Sequence, residues 1–459
     1  MKSRTRPLLL AAALCCLVLL SCPRRQPDIQ GVSGPSRWVT NSPATFVAAL
    51  TGANADWTDG RFSWGDTVGD WIALAVGDTA FSAGHSWSRI GSYGVRAMLH
   101  KRLANADEIS EWSDSLLVSI DSGPVLLATI PTDAGPRALL YNPASDRVFC
   151  ANVNANSISV IDGDSDRVAE TQTGVSLPLA MALDATDSKV YVALAGSDRV
   201  MVLSGYGDRV IAEIPVGRGP CALAWNPAGD KVYCANGRDS TVTIISAATD
   251  SVLRTVAVGY EPQCFARNPD LNRVYCGIAV MDTFPNKIAV LDGTTDEVLG
   301  FIRVDGAPLA LAYDSISHKL YCAGSSGVLT VIDGMTHAVL DSPFVGVQPV
   351  ALEIDYAHSN LYVANQGGPG VTIVSTATNQ VVGHVLVGSQ PVALLWDWDI
   401  MYCVNSGSDN VSLIDAASLE EIGTAATGAR PWALCRNTRN GKLYVANRGS
   451  SSVSVFRAP

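Results

Sequence analysis

Apolar and polar positions alternate along most of this chain in short bursts, and one stretch shows the pattern whole. From Gly219 to Gly259 the runs CALAW, KVYCAN, TVTIIS and VLRTVAV are separated by NPAGD, GRDS and AATDS. Each run has strand length and is rich in Val, Ile, Tyr or Thr, and each gap carries the Gly, Asn, Asp, Pro or Ser that a tight reversal needs. The stretch predicts a four-stranded antiparallel meander.

The meander recurs. Copies begin at Gly135, Leu177, Gly219, Glu261, Ala307, Gln348, Gln390 and Arg430, spaced by about 42 residues. A sheet this narrow cannot bury both faces alone and must stack on its neighbours, so tandem copies at this period predict a β-propeller. The final copy stops after its third strand, SVSVFRAP (Ser452 to Pro459), whereas PVLLATIPTD (Pro124 to Asp133) is a fourth strand with no copy of its own. Pairing the two completes the last blade and removes two open sheet edges. The expectation is an all-β, eight-bladed propeller over 122–459, with a seven-bladed ring carrying one irregular copy as the fallback.

The second strands read RVFCAN, KVYVAL, KVYCAN, RVYCGI, KLYCAG, NLYVAN, MYCVN and KLYVAN. With a Pro-x-x-[Leu/Val] before them, these copies resemble the YVTN-type β-propeller repeat across the last three quarters of the chain. The resemblance implies a propeller in an exported envelope or surface protein, in a group that includes lactonase-like enzymes and many proteins without chemistry. The chain departs from the pattern by placing Cys150, Cys234, Cys276, Cys322 and Cys403 where Val192, Val363 and Val445 keep the motif's valine.

Ahead of the repeats the pattern changes three times. MKSRTR followed by the apolar PLLLAAALCCLVLL is a targeting segment, and LLSC (Leu19 to Cys22) resembles the bacterial lipobox, which implies lipidation of Cys22 and removal of 1–21. Ordinary secretory cleavage and an uncleaved anchor are the rival readings. Acyl chains on Cys22 would hold the protein on a membrane without a spanning helix. The polar, Pro- and Gly-containing 22–35 reads as a tether. From 36 to 121, alternating runs such as TFVAAL and SLLVSI predict a small sandwich. There FSWGDTVGDW, GHSWSRIGSYGVRA and EWSDSLLVSI resemble the PKD-type immunoglobulin-like domain. Trp64 and Trp87 are assigned to the sandwich core, with a carbohydrate platform as the alternative.

Charge narrows the partners. The formal net charge of −11 becomes more negative once Lys2, Arg4 and Arg6 leave with the leader, and an acidic surface repels phosphate backbones, so nucleic acid is not expected. Of the eleven cysteines, eight lie in the repeats, and five share one strand position in different blades. Packed sheets lie about 10 Å apart, too far for a bridge, so these five read as small buried hydrophobes. Cys221 with Cys234, and Cys264 with Cys276, sit on neighbouring strands of one blade, where two thiols are favoured over a disulfide.

No cofactor, metal or catalytic residue is expected. The repeats hold only His318, His337, His358 and His384, none at a channel-facing position, which counts against copper and haem. Asp162, Asp292, Asp333 and Asp415, interspersed with Ser204, Ser246 and Ser375, recur after the third strand as turn-capping groups. In a propeller the loops from fourth to first strand and from second to third strand gather on one face, where rigid scaffolds carry function. That face is predicted to present Arg137, Arg218, Arg238, Tyr260, Glu261, Asp282, Gln348, Gln390, Arg430, Trp432 and Arg448, with Gly277 to Lys287 as its longest loop. The reading is a lipid-anchored envelope protein whose propeller binds an unknown protein, glycan or small molecule. A lactonase-like hydrolase and a purely structural surface protein are the alternatives.

Overall fold

A computed structural model describes residues 29–34, 37–39, 44–50, 57–87, 89, 91–101, 108–121, 123–279, 286–368 and 370–458. Cys22 and the leader lie outside them, as does Asp282. The described residues contain strands and no helix, and hence no helix able to cross a membrane. The chain divides into two compact units, the smaller drawn chiefly from Phe46–Ala83 and Gly94–Leu116, the larger chiefly from Leu117–Pro459.

In the smaller unit, Ile29–Ser33, Ala44–Leu50 and Ala80–His85 form a three-stranded sheet, and Asp59–Ser63 pairs with both Ile72–Ala73 and Gly91–Lys101. Ala44–Leu50 alternates buried and open positions along its length, which is what a strand with one covered face requires. Phe62 stacks on Trp64 at 4.9 Å between ring centroids, and Phe46 meets the same indole edge-on. Trp64 and Trp87 are both buried, as core residues rather than an open platform.

The larger unit is a succession of four-stranded antiparallel sheets. Numbered here by chain order, sheets 1 to 7 span 136–173, 178–215, 220–257, 262–303, 308–341, 349–386 and 391–426. Sheet 8 takes Pro431–Arg436, Lys442–Asn447 and Ser452–Arg457 from the end of the chain and its fourth strand, Val125–Pro131, from ahead of sheet 1. That strand runs antiparallel to Ser452–Arg457, with Leu126 opposite Phe456 and Thr129 opposite Ser454. The predicted latch between the two segments is therefore present. First strands pack side by side in chain order, and Pro431–Arg436 packs in turn against Pro136–Asn142, so the succession closes on itself.

Three repeated devices explain why this sequence closes. The second strand is buried almost end to end, and its apolar side chains join those of the next sheet in one core. Tyr233, Val242 and Ile244 of sheet 3 pack with Val274, Cys276 and Leu291 of sheet 4, and Tyr444 and Val455 pack with Val148 and Cys150 across the closing junction. Cys150, Cys234, Cys276, Cys322 and Cys403 are fully buried free thiols, occupying the volume of the valine they replace. Cys221 and Cys264 are free as well, because the registers set Leu223 opposite Cys234 and Phe265 opposite Cys276.

The second device gives the Lys-x-Tyr of the second strand a function. Lys189 Nζ donates to Asp250 Oδ2 at 3.1 Å and Tyr191 Oη to Asp250 Oδ1 at 2.5 Å, joining sheet 2 to the turn between the third and fourth strands of sheet 3. Lys231 and Tyr233 reach Asp296 of sheet 4 in the same way, and Lys442 and Tyr444 reach Asp166 of sheet 1, closing the ring with the same clamp. The third device is the asparagine that ends the strand. Asn236 Nδ2 donates to the hydroxyls of Thr241 and Thr243, and Asn447 to those of Ser452 and Ser454, tying each hairpin to its own third strand.

The aspartates after the third strand are turn caps. Asp162 accepts from the backbone N–H of Ser165, Asp292 from those of Thr294 and Thr295, and Asp415 from that of Ser418. None of the four histidines lines the channel: His337 meets Tyr275, His318 meets Asp270, His358 meets Asp355 and His384 meets Thr372.

Candidate functional site

The ring has two faces, and backbone bonding decides which loops share one. The turn after each second strand donates back to the turn before its first strand: Arg238 N to Arg218 O, Gln366 N to Gln348 O, Ser406 N to Gln390 O and Arg448 N to Arg430 O. These paired loops make one face, and the turns between first and second and between third and fourth strands make the other. The residue before the first-strand proline has a positive φ in most copies. Glycine supplies it at Gly135 and Gly219, but Leu177, Glu261, Gln348, Gln390 and Arg430 adopt φ of 45–53° with a side chain attached. Each such residue costs about 1–2 kcal/mol, and on this face the cost recurs at one repeat position occupied by chemically varied side chains. Glu261, Gln348, Gln390 and Arg430 are exposed there, as is Tyr260.

Arg137, Trp432 and Arg448 are brought together. Arg137 and Trp432 are the second residues of the first strands of sheets 1 and 8, so they lie on channel-lining strands rather than in the loops where the sequence placed them. Both guanidiniums lie against one indole, Arg448 at 5.2 Å and Arg137 at 5.9 Å from the ring centroid. Burial lowers the pKa of Arg137 from its ordinary value, and the nearby charge of Arg448 lowers it further. Burial raises the Cys221 thiol of sheet 3 above its ordinary pKa, and the charge of Arg137 acts against that rise. Among the described residues neither guanidinium has a carboxylate partner. Two like charges held on one aromatic face without a counter-ion form a site that an anion would neutralise.

Arg218 differs. Its Nε donates to Asp239 Oδ1 at 3.0 Å, so its charge is already matched, and Arg238 stands exposed beside it.

One residue went unsingled in the sequence. Glu353 occupies the fifth position of its first strand, where the other copies carry Leu140, Ala182, Ala224, Ala266, Ala312, Leu395 and Cys435. It accepts from Trp396 N of the next sheet at 3.4 Å, and burial raises its carboxyl to about 7. The signal was there to be found, since this is the one charged residue in that column of the repeat.

No protein-family model and no curated protein matches the chain. Solved structures do. The chain is similar to a Kuenenia stuttgartiensis hydrazine synthase chain at 17% identity and a TM-score of 0.52, covering 73% of this chain and 99% of that one. It is similar to Saccharomyces cerevisiae Sqt1 at 14% identity and a TM-score of 0.63, covering 73% and 100%. A chain of a mitotic checkpoint complex matches at 15% and 0.52, covering 71% and 93%. The fold is a β-propeller. At these identities the likeness extends to the fold and no further, and what the propeller binds has to be argued from its own residues.

Proposed function

We propose that the propeller is a non-catalytic interaction module whose loop face binds an acidic segment of a partner protein, with Arg137, Trp432 and Arg448 as the central contact. The observation that carries this reading is the pair of guanidiniums sharing one indole with no carboxylate among the described residues to balance them. Arg430, exposed on the same sheet and joined through its carbonyl to Arg448 N, adds a third cation at this edge of the channel. A carboxylate docked there would gain charge-assisted bonds and aromatic cover while relieving the repulsion between Arg137 and Arg448.

On the same reading the chain is an exported lipoprotein anchored through Cys22, with YVTN-type repeats and a PKD-like spacer; the LLSC sequence supports the first of these and the repeat and turn sequences the others. Labelling with palmitate in a bacterial host tests the anchor, and Cys22→Ser should abolish both the label and membrane retention.

Binding is tested by titrating the purified chain with a hexaglutamate peptide while following tryptophan fluorescence, with hexaglutamine as the uncharged control. Saturable binding that weakens with salt, and weakens by about tenfold or more in the Arg137→Ala/Arg448→Ala double variant, is the expected result. Equal affinity in the double variant, or equal binding of hexaglutamine, contradicts the proposal.

A further inference from the structure

The first strand of every sheet carries the same irregularity at the same place. In sheet 1, Pro136 pairs with Asn152 and Ala138 with Ala151, so Arg137 has no partner in the second strand and bulges out of the ladder. The shift recurs one residue after the opening proline in every other sheet. The bulged residue is half-buried each time, on the innermost strand, whose open side is the channel. Leu179, Leu309, Val350, Val392 and Trp432 make most of the resulting ring apolar. Cys221 donates from its thiol to Pro262 O at 3.2 Å, and Gln263 donates through Nε2 to Pro308 O. Arg137 is left as the one charge in the ring.

The flanking positions do not vary with it. Proline precedes the bulged residue in every sheet, and alanine follows it in all but sheet 4, where Cys264 stands. A bulge repeated around a ring, aiming one variable residue at the channel from between two uniform ones, is how a site is written onto a repetitive scaffold. The alanines are half-buried as well, so the wall beneath the ring is low and apolar. No first strand carries another charge before its fifth position, where Glu353 stands.

We propose that this ring takes the C-terminus of another polypeptide, its aliphatic last side chain in the apolar part of the ring and its free α-carboxylate on Arg137 and Arg448 against Trp432. The inference rests on the reading of those three residues as the central contact, and it narrows the ligand. One ring presents both a cation and hydrocarbon, so the ligand has to offer an anion and an apolar group from one residue. An internal Asp or Glu uses its side chain as the anion and leaves none for the apolar positions, whereas a C-terminal Leu, Ile or Val carries both groups on one Cα. The first strands close around the channel, so a chain entering from the rim has no lateral exit. Gln348 and Gln390, exposed on the loops above, would meet the peptide groups of the preceding residues, which a fatty acid lacks.

The test is a titration of the full chain, by calorimetry and tryptophan fluorescence, with the peptide Ac-GSGSGL-OH, whose only charge is its α-carboxylate. Its comparators are the amide Ac-GSGSGL-NH2, the glycine-ended Ac-GSGSGG-OH and octanoate. The leucine acid should bind saturably and each comparator about tenfold or more weaker. Arg137→Ala/Arg448→Ala should remove binding of the leucine acid, and Val350→Ser/Val392→Ser should reduce it to that of the glycine-ended peptide, with thermal melting showing that each variant is folded. Saturable binding of hexaglutamate with none of the leucine acid would leave the rim reading standing and overturn this one. Equal affinity for the amide, the glycine-ended peptide or octanoate, or full affinity in either folded variant, would overturn it as well.

Discussion

The buried tyrosine of the second strand shows how one side chain can be worth different amounts in different copies. Tyr191 has its hydroxyl on Asp250, and its pKa is pushed well above the ordinary tyrosine value by burial and then by that bond. Tyr362 occupies the same position in sheet 6, but the facing turn carries Leu419 in place of the aspartate and its hydroxyl is buried without a partner. Tyr191→Phe should therefore destabilise by about 1–2 kcal/mol, whereas Tyr362→Phe should be neutral or slightly stabilising; denaturant midpoints of the two variants check this. Glu353 offers a prediction of opposite kind. Its folded carboxyl is raised to about 7 from the ordinary 4.5, so folding favours the protonated form. The stability it contributes is full below pH 4.5 and is lost as pH rises through 7. Glu353→Gln should match the wild type in acid and exceed it above pH 7 by on the order of 3 kcal/mol at most, as read from melting temperatures across that range. The sequence carried both facts only in part. The tyrosine was visible as a motif residue, but its partner lies about 60 residues away in the next copy, and nothing local points to it.

At the scale of the hairpin, the spacing of apolar runs and turn residues gave the strands almost residue for residue, because one pattern repeated many times averages out local ambiguity. What it did not give was the side of the strand on which a residue acts. Arg137 and Trp432 follow the proline of their copies, where the turn pattern assigns them to loops, whereas the strand begins at the proline itself and includes both. The rim's strained positions lead to a further expectation. Gln348→Gly removes a side chain held at φ 52°. It should leave stability unchanged or raise it by up to about 1 kcal/mol, since relief of the left-handed strain outweighs the added freedom of the unfolded chain. A rise seen here and at Gln390→Gly would mean that these side chains are kept at a cost to the fold, as a binding rim requires. A loss of stability at both would mean that they are held for packing instead.

The larger unit is a wheel whose last sheet borrows a strand from ahead of its first. The closing junction uses the same parts as the others: Lys442 and Tyr444 on Asp166, and a shared core of Ile130, Val453 and Val455 with Val148 and Cys150. The contact of Arg137 with Trp432 and Arg448 spans the closing seam between sheets 8 and 1. Closure of the wheel leaves sheet 8 complete only if Val125–Pro131 is an integral strand of it. Amide hydrogen exchange of the full chain, read peptide by peptide, measures this directly. Closure predicts that amides of 125–131 and 452–457 are equally protected and exchange together, through the same opening that releases the other sheets. Rapid, turn-like exchange of 125–131 beside a protected 452–457 would contradict it.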